Sequence, residues 1–348
     1  MNNPEDALAH ESCRVLIAVQ AGGSFGYSRL ARARAIVDAL NGIEQTRVEL
    51  WLESQDVVLR NQLKQHGVPL VEQSWTLSET LRHQPVDRLV LDYANPVPPS
   101  LMSMIRATCP ALPVVVVDNV GRGALEADTL ILGDCHRQVD TDGFNGQFYQ
   151  GLAYVVFGQR MAQGEAAPDH SSLLVSIGSE DNDELAAHLL ECIRKFETGH
   201  IDFMVPAAYK NPESLERSAT RCATPITLHW QQNGMQSLVR PQTRFALCAF
   251  GLTAYELAYN GIPMLVFAKC EADMPDLDKF CQAGLGINIG LGRDLSEESL
   301  MAHCADLMSD TDRLAALSRQ MTEQFSGNSP DTLARIIMQA SRASVPVV

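Results

Sequence analysis

The apolar residues of this chain fall into short unbroken runs, separated by stretches in which they recur at helical spacing. Val15-Leu16-Ile17-Ala18-Val19 is the first run, and it ends in Gly22-Gly23 and Gly26 before Leu30 to Leu40 takes up a helical pattern. That is strand, glycine loop, helix. Val48 to Leu52 reads as the next strand, Val57 to Gln65 as a helix, Pro69 to Val71 as a short strand and Leu77 to His83 as a helix. Arg88 to Asp92, Pro113 to Asp118 and Thr129 to Leu132 are further strands, with a helix at Ser100 to Thr108. Runs this continuously apolar predict strands buried on both faces, as in a parallel sheet with helices on each side.

From Gly158 to Ser172 polar and flexible residues break the pattern, and a domain boundary is expected there. A second alternation then begins with the strand Leu173 to Ile177, which stops at Gly178-Ser179, and the helix Asp183 to Phe196. Ile201 to Val205, Ile226 to Trp230, Phe245 to Phe250 and Pro263 to Ala268 are its other strands; Pro212 to Thr220, Gly234 to Arg240 and Thr253 to Asn260 are its helices. The chain closes with helices at Ser296 to Ser309, Thr311 to Gln324 and Ser329 to Ser344. The expected fold class is therefore α/β: two Rossmann-like doubly wound domains, residues 1–160 and 168–348, facing a cleft between the carboxyl ends of their strands.

Composition agrees with two cores: 348 residues, 46% hydrophobic and only 20% charged. An excess of 42 acidic over 27 basic side chains gives a formal charge of -15, which disfavours nucleic acid as a partner. The nine cysteines are scattered and never spaced Cys-x-x-Cys, so neither a disulfide framework nor a zinc site is suggested, and a reducing cytoplasm fits. The acidic N-terminal residues do not read as a signal peptide, and no run reaches the ~20 apolar residues of a membrane span. Contact with a membrane surface stays open.

Candidate chemistry concentrates between Phe245 and Gly290. An apolar run stops at Gly251-Leu252-Thr253-Ala254, and a helix follows with Tyr255 and Glu256. A glycine turn ahead of a helix N-terminus suits a phosphate, because the turn lacks side-chain bulk and the first helical amides have no internal partner. Thr253 could cap the helix or meet a phosphate oxygen, and Glu256 could accept from two ribose hydroxyls or close a capping box with Thr253.

With Gly251, Thr253, Glu256, Ala258, Gly261 and Pro263, this segment resembles the nucleotide-binding half of the peptidoglycan N-acetylglucosaminyltransferase group, and more closely the UDP-sugar hydrolase of the pseudaminic acid pathway. Those proteins carry Gly-Gly-x-Thr-x-x-Glu followed by Ala-x-x-Gly-x-Pro; here Phe250 replaces the first glycine. Asp87 to Tyr93, Val117-Asp118-Asn119, Gln147 to Phe157 and Ser176-Ile177-Gly178-Ser179 resemble the same group more thinly. The resemblance implies the GT-B architecture, a last helix that packs back on the first domain, and a nucleotide-sugar substrate bound on Gly251, Leu252, Thr253, Ala254 and Glu256, with Gly178 and Ser179 near the diphosphate. It implies no further cofactor.

Two departures bear on the reaction. The family's first glycine loop holds a histidine central to hydrolysis, whereas this chain reads Gly26-Tyr27-Ser28-Arg29-Leu30-Ala31-Arg32, with Tyr27 or Arg29 at that position according to register. The Asn-Gln expected after the Gly-x-Pro strand is replaced by Cys270-Glu271-Ala272-Asp273. Arg29 and Arg32, three apart on one helix, could meet with Gly26 a phosphate or an anionic acceptor, or be solvated helix charge. Asp92 at a strand tip is a candidate general base or a turn cap, and His136 a candidate base or a solvated loop residue. The acidic pairs Asp140/Asp142, Asp181/Asp183 and Asp276/Asp278 are what an acidic chain supplies anyway, and no metal site is expected. Three functions follow: transfer of a sugar, UDP-linked by the resemblance, to an acceptor held by the first domain; hydrolysis of the nucleotide-sugar; or binding without catalysis.

Overall fold

The computed structural model describes residues 12–21, 28–54, 57–65, 67–71, 74–157, 172–178, 184–206, 209–230, 239, 243–326 and 328–342. The chain forms two six-stranded sheets, each wholly parallel. The first contains β1 (Cys13–Gln20), β2 (Thr46–Glu53), β3 (Arg88–Asp92), β4 (Val114–Val117), β5 (Thr129–Leu132) and β6 (Gln147–Gln150), in the order β2-β1-β3-β4-β5-β6. Of the short strand expected at Pro69 to Val71, one bridge between Leu50 and Leu70 remains, on the outer side of β2. The second sheet contains β7 (Ser172–Ser176), β8 (His200–Val205), β9 (Ile226–Trp230), β10 (Thr243–Ala249), β11 (Met264–Ala268) and β12 (Ile287–Leu291), in the order β12-β11-β10-β7-β8-β9.

Unbroken apolar sequence explains the central strands. Every residue of β4 and β5 is buried, as is every residue of β7 and β11. Such strands need helices on both faces, and the alternating helices supply them. Two strands had no such signature. Gln147–Gln150 is an edge strand, largely exposed and paired only with β5, so its sequence needs no apolar run. Ile287–Leu291 is the opposite edge of the second sheet, where Asn288 and Gly290 interrupt the apolar pattern. The helix Met274–Gln282, α8 below, was equally silent, because it buries chiefly Leu277 and Phe280 and shows solvent its other face.

In each sheet the strand order reverses beside the first strand: between β1 and β3, and between β7 and β10. The crossovers leaving the two strands there run to opposite sides, so a crevice opens at their carboxyl ends, the usual ligand position in this topology. Helices α1 (Ser28–Asn41), α2 (Val57–Gln65), α3 (Leu77–His83) and α4 (Pro99–Thr108) belong to the first sheet; α5 (Leu185–Cys192), α6 (Pro212–Ala219), α7 (Leu252–Tyr259), α8 (Met274–Gln282), α9 (Glu297–Met308) and α10 (Thr311–Gln324) follow β7. The expected linker, Gly158 to Ser172, lies outside the described residues except for Ser172, and so does the expected helix at Gly234 to Arg240 except for Val239.

The chain crosses between the halves twice among the described residues. Leu152, Val155 and Phe157 already pack in the core of the second half, where the Phe157 ring meets Tyr259 at 5.5 Å. Returning, Asn328 Nδ2 donates to the carbonyls of Leu152, at 2.8 Å, and Val155. Helix α11 (Pro330–Gln339), capped by Ser329, then lies against α1, with Leu333, Ala334, Ile336 and Ile337 in the first sheet's core. Arg88 Nε donates to the Met338 carbonyl at 3.1 Å, and Arg342 Nη1 to buried Asp128 at 2.8 Å.

Because Leu333 and Ile337 are fully buried against the first sheet, Leu333→Ala and Ile337→Ala should each cost about 2–5 kcal/mol of unfolding free energy. Denaturant titration measures this, and a cost below about 0.5 kcal/mol, the range of surface substitutions, would mean that α11 does not complete that core.

Candidate functional site

At the second sheet's crevice, β7 and β10 each end in a glycine that only glycine suits. Gly178 has φ 84° and Gly251 has φ 148°, where a side chain would be strained. A Cβ on Gly251 would meet nothing within 4 Å among the described residues, so the turn is open. Gly251 is the N-cap of α7 and supplies no side-chain cap, which leaves the first amides of the helix unpaired by its own ladder. Leu252 and Thr253 are the first two helical residues and Ala254 the third.

This placement removes the capping-box alternative. Thr253 lies inside the helix rather than at its cap, so it cannot exchange hydrogen bonds with Glu256 in that motif. Glu256, one turn in, is 2% exposed, and neither carboxylate oxygen has a hydrogen-bond partner among the described residues. Burial pushes its pKa up to about 7. A buried carboxyl left unpaired is costly, and natural structures retain such groups where something else meets them. Lys269, which sequence reasoning passed over, directly follows strand β11; the position of a Cβ on Gly178 would lie 3.8 Å from its Nζ. Its only sequence signal was a charged residue directly after an apolar run. Ser179 lies outside the described residues.

The first sheet's crevice is organised differently. Arg32 on α1 is 2% exposed and donates through Nε (2.8 Å) and Nη2 (2.5 Å) to the two oxygens of Asp92, which is fully buried. Its Nη1 donates to Asp118 at the end of β4. Asp118 also accepts from the Gly133 amide at 2.6 Å, and its carbonyl accepts from Arg137 Nη1 at 3.3 Å. Asn119 ties the adjacent loops, donating to the carbonyls of Tyr93 and Asn95 and accepting from the amides of Val97 and Gly121.

Two expectations change accordingly. Asp92 is neither a free base nor a turn cap, since both oxygens are held by a buried guanidinium. Arg32 is neither solvated nor open to a phosphate, because its nitrogens are spent on two carboxylates. Arg29 keeps its guanidinium partly exposed, 3.8 Å from Asp92, with its pKa pulled down by burial and then by the like charge of Arg32. Gly26 and Tyr27 lie outside the described residues.

His136 is neither a solvated loop residue nor a free base. It is 6% exposed and sits between the two halves: Nδ1 hydrogen-bonds the Tyr255 hydroxyl, Nε2 lies 3.8 Å from Asp276, and its carbonyl accepts from Lys279 Nζ at 2.9 Å. The rings of Phe250 and Tyr255 flank it at 5.2 and 5.6 Å. Burial lowers its pKa, so the imidazole is neutral at neutral pH. Among the described residues no group of three His, Cys, Asp or Glu is placed to hold a metal ion, and no helix is long and apolar enough to cross a membrane. A depression of about 410 Å³ between Phe196 and Met308 lies at the amino ends of the second sheet's strands, away from these groups.

Two doubly wound parallel sheets, a crevice at the carboxyl ends of each and a terminal helix returned to the first define the GT-B fold. No profile of a known protein family matches the chain. It is 23% identical over 267 residues, 74% of this chain and 75% of the relative, to the spore coat polysaccharide biosynthesis protein SpsG of Bacillus subtilis (strain 168). Among solved structures it is similar to MurG of Acinetobacter baumannii, with TM-score 0.63 and 13% identity over 94% of this chain and 99% of that one. It is similar too to S. aureus MnaA, solved with UDP, with TM-score 0.61 and 13% identity over 94% and 95% of the two chains.

Two measurements check the site's electrostatics. Removing one member of the Arg32 cluster leaves buried charge uncompensated, so Asp92→Ala should cost about 3–5 kcal/mol of unfolding free energy. A cost under about 1 kcal/mol, typical of an exposed pair, would contradict the burial. For Glu256, a folded pKa of about 7 lies above the ordinary carboxyl value of 4.5. The folded form then holds the proton more tightly, so the stability this gives is complete at low pH and is lost as pH rises through about 7. Glu256→Gln should abolish that loss; unfolding midpoints across this pH range, without ligand, read it.

Proposed function

We propose that the chain is a glycosyltransferase that takes its donor sugar from a nucleotide, UDP-linked by the resemblance, bound at the second sheet's crevice. The observation that carries this reading is the Glu256 carboxylate, buried and without a hydrogen-bond partner among the described residues, one turn beyond an open glycine turn. Vicinal ribose hydroxyls are donors of the right geometry for its two oxygens, and the α7 amides and dipole suit the adjoining phosphate. The relative named for polysaccharide biosynthesis and the UDP-bound structural neighbour support the same reading. The acceptor would lie over the first sheet's crevice, beside Arg29. In the reaction its hydroxyl oxygen bonds to the anomeric carbon and gives up its proton, while the bond from that carbon to the phosphate oxygen breaks and its electrons leave with the nucleoside diphosphate.

Hydrolysis fits less well, because the two described groups considered as its base, Asp92 and His136, are each held by another side chain. All nine cysteines are free, two of them exposed, which suits a reducing compartment such as the cytoplasm.

Glu256→Ala should weaken UDP binding by roughly 10- to 150-fold, the loss of charge-assisted hydrogen bonds, with the protein still folded. Calorimetry measures it; unchanged affinity, or no UDP binding by the native protein, removes the basis of the proposal. Turnover is read by incubating the protein with UDP-sugars and following UDP release with and without a cell extract as acceptor source. Acceptor-dependent release is expected, and rapid release without acceptor would make the protein a hydrolase.

A further inference from the structure

His136 belongs to the first half, on the loop after β5, yet it is the second half that encloses it. Lys279 of α8 donates to its carbonyl at 2.9 Å, the Tyr255 hydroxyl of α7 bonds its Nδ1, and its ring meets Phe250 edge-on at 5.2 Å. The last two contacts bracket Gly251: Phe250 stands directly before it and Tyr255 in the helical turn after it. Gly251 brings little restraint of its own, having φ 148°, no Cβ and no side-chain cap, so the shape of the turn depends on what its neighbours touch. Phe250 replaces the first glycine of the motif that this segment resembles, and a glycine there would give His136 no ring to pack on. The polar contact is equally well matched. Burial raises the pKa of Tyr255 and lowers that of His136, so the hydroxyl keeps its proton and the neutral imidazole can accept it at Nδ1. Tyr255 is itself held from behind by Phe280 of α8, edge-on at 4.8 Å.

Resting on the nucleotide reading above, we propose that His136 is a positioning residue for the nucleotide site, contributed across the seam by the first half: by holding Phe250 and Tyr255 it fixes the Gly251 turn and the start of α7 in the arrangement the ligand needs. Glu256 follows Tyr255 on the same helix, so a rotation of α7 that releases the hydroxyl moves the carboxylate as well. His136 acts only through these neighbours, since its ring nitrogens are turned to Tyr255 and, at 3.8 Å, to Asp276. Nucleotide affinity then depends on how the halves dock at this contact, and by linkage a bound nucleotide strengthens the contact by the same factor.

The test is UDP affinity by calorimetry for native protein, Tyr255→Phe, His136→Phe and the variant carrying both, each checked for an intact fold by its unfolding midpoint. Tyr255→Phe removes only the hydroxyl, and His136→Phe keeps a ring against Phe250 while removing the acceptor. Each single variant should lose about 5- to 30-fold in affinity, the scale of a coupling between sites, although His136 lies in the other half. The double variant should lose no more than the worse of the two, because one contact is being broken twice. Hydrogen exchange gives the reciprocal reading: saturating UDP should slow exchange in a peptide covering Gly133 to Arg137 of the native protein, and should not do so in Tyr255→Phe. Unchanged affinity in either single variant, losses that add in the double one, or equal protection of that peptide in native protein and Tyr255→Phe overturns the role of His136. The nucleotide site then still stands, provided Glu256→Ala weakens UDP binding. If His136→Phe does not fold, Tyr255→Phe and the exchange measurement decide alone. Failure of native protein to bind UDP overturns the inference together with the reading beneath it.

Discussion

A guanidinium taken almost wholly out of water has to be matched by carboxylates in fixed positions, and Arg32 imposes that requirement on the first half of the molecule. Its partners come from the ends of two neighbouring strands, Asp92 on β3 and Asp118 just past β4. Helix α1 is thereby registered against the carboxyl edge of the sheet at the point where strand order reverses. Asp118 pays for its place with a left-handed backbone, φ 48°, and passes the constraint on to the loops carrying Gly133 and Arg137. The loop that bears His136 is fixed in the same neighbourhood, and through Tyr255 and Lys279 it meets the second half.

The two crevices thus have opposite character. At the first, Arg32, Asp92 and Asp118 satisfy one another, while Arg29 and Arg137 keep their side chains partly exposed. At the second, Glu256 is buried and its carboxylate meets no hydrogen-bond partner among the described residues, one turn beyond an open glycine turn. A buried carboxylate without a partner at an open turn suits a ligand that completes it, whereas mutual pairing of buried charges lets the fold complete itself. The contact of His136 with Tyr255 lies next to Glu256 in sequence, so the seam between the halves and the candidate nucleotide site share helix α7. Any movement of one half on the other must either carry α7 with it or break that hydrogen bond.

The architecture was legible from the apolar runs, because a strand buried on both faces has no alternative to continuous hydrophobic sequence; β1, β3, β4, β5, β7, β10 and β11 all show it. Gly251 and Glu256 were legible as a site because a glycine turn before a helix has a local chemical meaning. Edge strands escaped, since β6 and β12 need only one partner and tolerate Gln, Asn and Gly.

Local spacing could not assign roles to charged residues whose partners lie far along the chain. Arg32 meets Asp92 across 60 residues and Asp118 across 86, and His136 meets Tyr255 across 119. Each of these looked available for chemistry in isolation, and only the packing of distant strand ends against one helix decided that Asp92 and Arg32 neutralise each other. The same holds for Thr253 and Glu256, whose capping-box spacing is real in sequence but void once the helix starts at Leu252. Sequence by itself determined which segments are buried, since that depends on hydrophobicity along a few neighbouring residues. Tertiary structure alone decided which buried charges are paired and which are left over, because Coulomb energy depends on distance in space and on exclusion of water, neither of which is written in spacing along the chain.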